Sequence, residues 1–487
     1  MKGPKFNKKI GKLTGRDPLG IESVANSMGA DLCPIINTVS PRAFYWPFLV
    51  WIYYDFHKNL NPKEKSYKSF DYYLKKQDYY FVLSNLLIEG SDQTMMVGKD
   101  KTFIDIENKP DGPFECNREY FITKFGGMQY YNAGIFSMNL LVDTNPETGD
   151  RFSFPKLTKE GEEMALAFEN VIKDTEYYKN YRLTEEVVPK SVLLEYGEIV
   201  NLKMKKFSEC KTLLEKYFFE KKQNYKLVEN KKYLEYLFYD LGIKELGNDN
   251  VRNVLFDYFS VRGDKKELPI ELKPIADSWE IVVGRQYMVV GIEMIWRNML
   301  KNLNKRETKE TWIEGCLYKN NFQFSLSDNL EGIIADSNFN YDEREELIRD
   351  IKSKRVDVKN EIEIGLRILM SLYNRFVNRE DISESNKKLF EYGNDRGAIS
   401  ISKLFELVDD YKEKPIQEFL KFIMEKWVID QHYNTAYNKL LEGRDGFFFE
   451  VDNGIYYRKN EGYINFTGIR LIQMMQVLKD LEILREN

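Results

Sequence analysis

Three ionisable residues in one short segment could together hydrolyse a phosphodiester bond. Asp92 follows a glycine turn in "GSDQTMMVGKDKTFIDIENK", and Glu107 and Lys109 form an E-x-K further along the same stretch. The alternation of apolar and polar residues here predicts a pair of strands, with the E-x-K on one of them. Two carboxylates can hold Mg²⁺, and a lysine beside them can position or activate the attacking water. The segment therefore admits a metal-dependent nuclease site.

This arrangement resembles the PD-(D/E)xK pattern of nucleases, and Mg²⁺ would be the cofactor of such a site. The E-x-K spacing recurs in "IELK", from Glu271 to Lys273, because the chain is rich in both residue types. We therefore prefer to interpret Asp92, Glu107 and Lys109 as solvated charges, with no catalytic residues and no cofactor. The nuclease remains the alternative.

Other catalytic motifs are missing from the sequence. Gly98-Lys99 is followed by Asp100 instead of Ser or Thr, so no Walker phosphate loop is present, and neither GxGxxG nor GxSxG occurs. The chain has only two histidines and four widely separated cysteines, with no zinc-type spacing among them, and we expect no metal site. Reduced thiols in a cytoplasmic protein are the expected state of the cysteines.

A second group of residues could contact nucleic acid. Five basic residues flank a predicted hairpin and the helix after it, and such a geometry could supply phosphate contacts. Neighbouring acidic residues dilute this charge, so a surface that docks a partner protein explains the segment equally well. The five residues are Lys439, Arg444, Arg458, Lys459 and Arg470.

The elements that would position these groups are mostly helical. "SPRAFYWPFLVWIYYDFHK", residues 40–58, is apolar nearly all round and predicts a buried helix at the centre of a core. Asp17 is expected to cap the helix before it, and Thr158 and Thr467 to cap later helices. Asn453-Gly454 between two aromatic runs predicts a β-hairpin.

The pattern as a whole predicts a mainly α-helical (α+β) protein of several domains. We expect an N-terminal, mostly helical domain at 1–150, a central helical domain at 151–390 and a C-terminal module at 391–487. The order of helix, hairpin and capped helix in the last of these is winged-helix-like, and a polar stretch at about 380–400 marks its boundary.

Charge and hydropathy restrict the partners. A net charge of −5 argues against a protein that coats nucleic acid by charge alone, although a local basic patch remains compatible with it. The basic segment 1–16 lacks the apolar stretch of a signal peptide and is expected to be a flexible arm. The most apolar run, "IVVGRQYMVVGIEMIW", is interrupted by Arg285 and Glu293, so we expect buried helix and no membrane span.

Three segments together are similar to poorly characterised bacterial proteins encoded in anti-phage defence islands. They are "DPLGIESVANSMGADLCPIINTVSPRAFYWPFLVWI", "KLTKEGEEMALAFE", and "KLLEGRDGFFFEV" with "FTGIRLIQMMQVLKDLEIL". The family carries two arginines before the aromatic helix, where this chain has only Arg42. The resemblance implies a component of a multi-gene defence system, with helicase, ATPase or nuclease subunits as partners. We therefore expect a non-catalytic scaffold or sensor that binds DNA, partner proteins or both.

Overall fold

The computed structural model of the protein describes residues 17–59, 67–116, 128–184, 187–248, 250–257, 268–337, 344, 346, 349, 360–394, 398–462 and 464–485. The predicted basic arm, residues 1–16, lies outside these ranges.

The protein is mainly helical with small antiparallel sheets, which confirms the predicted α+β class. The α-helices in the described ranges are α1 (Glu22–Leu32), α2 (Tyr45–Asn59), α3 (Tyr67–Leu87), α4 (Lys99–Asn108), α5 (Met128–Ser137), α6 (Lys159–Ile172), α7 (Lys190–Ile199), α8 (Ser208–Glu215), α9 (Tyr225–Glu235), α10 (Val251–Asp257), α11 (Lys273–Asn302), α12 (Lys309–Lys319), α13 (Leu330–Asp336), α14 (Glu361–Phe376), α15 (Glu384–Phe390), α16 (Ile401–Tyr411), α17 (Ile416–Phe422), α18 (Gln431–Leu441) and α19 (Arg470–Asp480). Helices α8, α9 and α17 each continue into a π-helical segment, at Lys216–Glu220, Tyr236–Asp240 and Ile423–Asp430.

Two small sheets accompany the described helices. Strand β1 (Leu141–Thr144) pairs antiparallel with β2 (Arg151–Leu157). The other sheet has the order β3-β5-β4 and is built from β3 (Glu307–Thr308), β4 (Phe449–Asp452) and β5 (Ile455–Arg458). Asn453 and Gly454 both have positive φ, at 51° and 79°, so the predicted Asn-Gly hairpin turn is confirmed.

The chain forms two compact units, and each unit is discontinuous in sequence. Unit 1 comprises Met1–Asp31 and Gly247–Gly468, and unit 2 comprises Leu32–Leu246 and Ile469–Asn487. These bounds differ from the predicted boundaries near residues 150 and 390. The predicted C-terminal module is divided between the units, since its hairpin pairs with β3 in unit 1 and α19 belongs to unit 2.

Helix α2 forms the centre of unit 2, as its continuous apolar surface predicts. It packs against α3, α5 and α6, and Phe48 and Trp51 are fully buried. The Phe48 ring lies 5.1 Å from Phe81 and 5.7 Å from Phe168, measured between ring centroids. The aromatic helix is therefore core, which confirms the prediction for residues 40–58.

Helix α11 has the corresponding place in unit 1. It packs along α14, where Gly291 of α11 lies against Gly365 of α14. A Cβ atom added at Gly365 would lie 2.5 Å from the Gly291 carbonyl oxygen, so only glycine permits this crossing. The predicted apolar run in α11 is buried, as expected, and no helix in the described ranges is long and apolar enough to cross a membrane.

Two of the three predicted helix caps are confirmed. The Asp17 carboxylate accepts hydrogen bonds from the backbone N–H of Ile21, Glu22 and Ser23 at the start of α1. The Thr158 hydroxyl accepts from the N–H of Gly161 in α6. The cap predicted at Thr467 is wrong, because α19 begins only at Arg470 and has no side-chain cap.

Candidate functional site

The segment with the predicted strand pair is helical instead. Residues 99–108 form α4, so Glu107 lies on a helix and Lys109 follows its C-terminal end. Both side chains are exposed. Ten residues are too few to separate a period of two from a helical period, and contacts with α3 decide the outcome, including a 3.0 Å hydrogen bond from Tyr79 to Asp105.

Asp92 belongs to a buried ion-pair cluster in unit 2. Its carboxylate lies 2.9 Å from Nη2 of Arg42, whose side chain is completely buried. The same guanidinium donates through Nε and Nη2 to Asp480, and through Nη1 to the carbonyl of Thr94. Arg42 thus joins the start of α2 to the loop before α4 and to α19. Arg42 is the arginine that precedes the aromatic helix in the sequence.

The five predicted basic residues are largely occupied by partners within their own unit. Lys459 lies 2.7 Å from Asp445 and 3.2 Å from Glu450, and Arg444 pairs with Glu442. The hydrogen bond that Tyr457 donates to Glu450 lowers the pKa of that carboxyl and keeps it ionised beside Lys459.

The remaining three basic residues are similarly engaged. Arg458 lies 3.9 Å from Glu461. Lys439 donates to the carbonyl of Asp17, and burial lowers the pKa of its ammonium group. Arg470, in unit 2, donates to two backbone carbonyls after the end of α1.

Helix α18 presents a feature that sequence reasoning missed. Its outer side carries four large apolar side chains with 44–71% of their surface exposed. They recur at four- and three-residue steps, so they form one stripe along the helix. We call this stripe the α18 face; it consists of Tyr433, Tyr437, Leu440 and Leu441.

The inner side of α18 is anchored by a buried histidine. His432 Nδ1 donates to the carbonyl of Pro18 over 2.9 Å, and its Nε2 accepts from the N–H of Phe448. The ring also packs on Trp296, with centroids 4.6 Å apart. Burial lowers the pKa of His432 to about 4, so the ring is neutral at pH 7 and keeps this pair of contacts. The anchoring holds the α18 face outward.

Unit 1 also buries an acid on α11. Glu293 is fully buried, and the carboxyl groups of Glu22 and Asp17 lie near it. Burial raises the pKa of Glu293 well above its ordinary value, and the neighbouring Glu22 raises it further. Glu293 is therefore protonated in the folded state under conditions where it ionises in the unfolded chain.

Replacement of Glu293 by glutamine is expected to flatten the pH dependence of stability. A carboxyl group with a raised folded-state pKa stabilises the fold below its ordinary pKa of 4.5, and this contribution is lost as the pH rises through the folded-state value. Urea denaturation should therefore show Glu293→Gln gaining stability relative to wild type between pH 5 and pH 8, by about 1–3 kcal/mol. The exposed Glu271→Gln is the matched control. Parallel pH profiles of wild type and Glu293→Gln would contradict the assignment.

Comparisons of the chain with protein-family models, with curated proteins and with solved structures found no match. Within the described ranges, no group of three or more His, Cys, Asp or Glu residues is placed to hold a metal ion.

Proposed function

We propose that the protein is a non-catalytic subunit of a bacterial anti-phage defence complex, in which it acts as a scaffold or sensor. The observation that carries the proposal is the α18 face, which we take as the docking surface for a partner subunit. The resemblance of the three sequence segments to defence-island proteins supplies the biological setting, with a helicase, ATPase or nuclease as partner.

The composition of the α18 face fits protein association. Tyrosine and leucine side chains in a stripe along one helix can insert into an apolar groove of a partner, as amphipathic helices do in helix-in-groove complexes. Tyrosine is enriched among the residues that dominate binding energy. The Tyr433 ring lies 5.8 Å from Phe447, so the apolar surface continues beyond the helix toward the hairpin.

The charges near the hairpin favour a protein over DNA as the ligand of this region. A phosphate contact needs a cation that is free to leave its present partners. Lys459 bridges two carboxylates, so DNA would have to displace acidic side chains to reach it, whereas Arg458 has only a weak 3.9 Å pair with the exposed Glu461. DNA binding remains part of the proposed function, but we assign it to other surfaces of the assembled complex.

The cysteines support a cytoplasmic setting. Cys33, Cys210 and Cys316 are buried free thiols, and burial raises the pKa of Cys33 and of Cys316 to about 12. A protonated, enclosed thiol is unreactive and needs no oxidising compartment.

The test is coexpression with the neighbouring genes, followed by purification through a tag on this chain. We expect the product of a neighbouring gene to copurify with wild type, and the double variant Tyr437→Glu/Leu441→Glu to lose it. The matched control is Tyr225→Glu/Leu183→Glu, which changes a tyrosine and a leucine that are similarly exposed in unit 2. Retention of the partner by the α18 double variant, with unchanged melting temperature, would contradict the proposed docking surface.

Charge reversal on the hairpin distinguishes a protein ligand of this region from DNA. In Arg458→Glu/Lys459→Glu we expect DNA binding by the assembled complex to persist at physiological salt, because Lys459 is already held by two carboxylates and Arg458 alone would supply at most one phosphate contact. Loss of DNA binding, with a salt dependence reduced by about two contacts, would instead place DNA on the hairpin.

A further inference from the structure

A pocket on unit 1 lies on a different side of α18 from the α18 face. It has a volume of about 340 Å³ and is formed by α1, by residues 392, 393 and 398, and by α18. Pockets of this size hold ligands of a few hundred daltons. Its position is independent of the proposed docking surface, because the two sets of α18 side chains share no residue.

The walls of this pocket are firmly held. Asp17 caps α1, and His432 ties α18 to the segment before α1. Just before α1, a Cβ atom on Gly20 would lie 2.9 Å from Oγ1 of Thr435 in α18, so glycine permits the close approach. Gly393, with φ at +92°, lies beside α1: a Cβ atom there would be 3.2 Å from Cγ1 of Val24. These contacts fix the positions of α1 and α18 on two sides of the pocket.

The lining is polar and carries no charge. The lining includes three side-chain amides of α18 and two hydroxyl groups of α1. The side chains of Asn434, Asn438 and Ser27 have no hydrogen-bond partner among the described residues, and Asn434 and Asn438 are exposed, so a ligand would compete with water for these groups. The ring of Tyr392, whose hydroxyl donates to Asp31 over 2.5 Å, adds an aromatic surface. The polar lining side chains are Ser23, Ser27, Tyr392, Gln431, Asn434, Thr435 and Asn438.

We propose that this pocket binds an uncharged, hydroxyl-rich ring compound, the chemistry shared by monosaccharides and by the sugar-base unit of nucleosides. Amides suit such a ligand because each offers both donors and an acceptor. An aromatic ring can stack on the apolar face of a sugar or a base. An ionised ligand does not fit, since no lining side chain carries an opposite charge and desolvation of a charge without a partner is unfavourable.

Saturation-transfer NMR on the full chain tests the proposal, with separate panels of neutral monosaccharides and nucleosides at up to about 10 mM. We expect at least one panel to contain a binder. The double variant Asn434→Ala/Asn438→Ala should weaken its binding about tenfold or more, because two ligand hydrogen bonds are lost. Ser27→Phe should block binding by filling the pocket.

The matched control is Asn26→Ala, an exposed asparagine on α1 that does not line the pocket. Its affinity should equal that of wild type. Binding confined to monosaccharides or confined to nucleosides would each support the pocket and identify the source. Absence of binding from both panels would overturn the proposal, and so would an affinity that is unchanged in the asparagine double variant and in Ser27→Phe.

Discussion

Replacement of Phe48 by alanine is expected to lower the free energy of unfolding by about 3–5 kcal/mol, the usual range for deleting a buried aromatic ring. Phe48 is fully buried in unit 2 and stands between Phe81 and Phe168. The alanine would leave a cavity lined by rings that are too rigid to fill it. Trp51→Ala is expected to have an effect of the same size, since its ring packs 5.5 Å from Phe168.

Chemical denaturation of both variants checks this prediction. Phe103→Ala is the matched control, because Phe103 is half exposed on α4 in the same unit and should lose little stability. Near-wild-type melting of Phe48→Ala combined with loss of a ligand-binding activity would mean that the aromatic helix is a stacking site and not core.

Replacement of Arg42 by alanine is expected to cost about 3–5 kcal/mol as well, for an electrostatic reason. The side chains of Arg42 and Asp480 are 0% and 2% exposed, and the guanidinium contacts the Asp480 carboxylate through two nitrogen atoms. Removal of the arginine leaves Asp480 buried without its cation, held only by the N–H of Ala43 and by Gln476.

A double-mutant cycle measures this interaction. We expect Arg42→Ala/Asp480→Asn to be less destabilised than the sum of the two single variants, by at least about 1 kcal/mol, because the second change removes the charge that the first leaves buried. Arg151→Ala is the control, since its side chain is 79% exposed and 3.9 Å from Asp143, and it should change stability by less than about 1 kcal/mol. Additive losses in the cycle would show that Arg42 and Asp480 are not coupled.

The largest disagreement between sequence and structure concerns the order of the chain. The sequence predicts contiguous domains at 1–150, 151–390 and 391–487, yet unit 1 includes the first residues up to Asp31 and unit 2 includes the last helix. The composition of a segment does not show which distant segment it will pack against. They depend on contacts like that of Arg42 with Asp480, which lie 438 residues apart.

The candidate sites likewise depend on contacts between distant parts of the chain. The segment 99–108 has only ten residues, and its few apolar side chains give no clear period. Its helical state is therefore decided by packing on α3 and not by periodicity. The five basic residues near the hairpin were visible as charges, but their acidic or carbonyl partners became visible only in three dimensions. Whether a cation is free to bind phosphate is a property of its neighbours.

The sequence by itself determined the elements whose signals are local and strong. The mainly helical class, the burial of the aromatic helix, the Asn453-Gly454 turn and the caps at Asp17 and Thr158 follow from side-chain pattern and backbone preference, which act over a few residues. The tertiary structure alone decided which apolar stripe remains exposed. Tyr433, Tyr437, Leu440 and Leu441 have the spacing of a core-facing stripe, and His432 on the other side of α18 turns them toward solvent because its buried contacts hold the helix in that rotation.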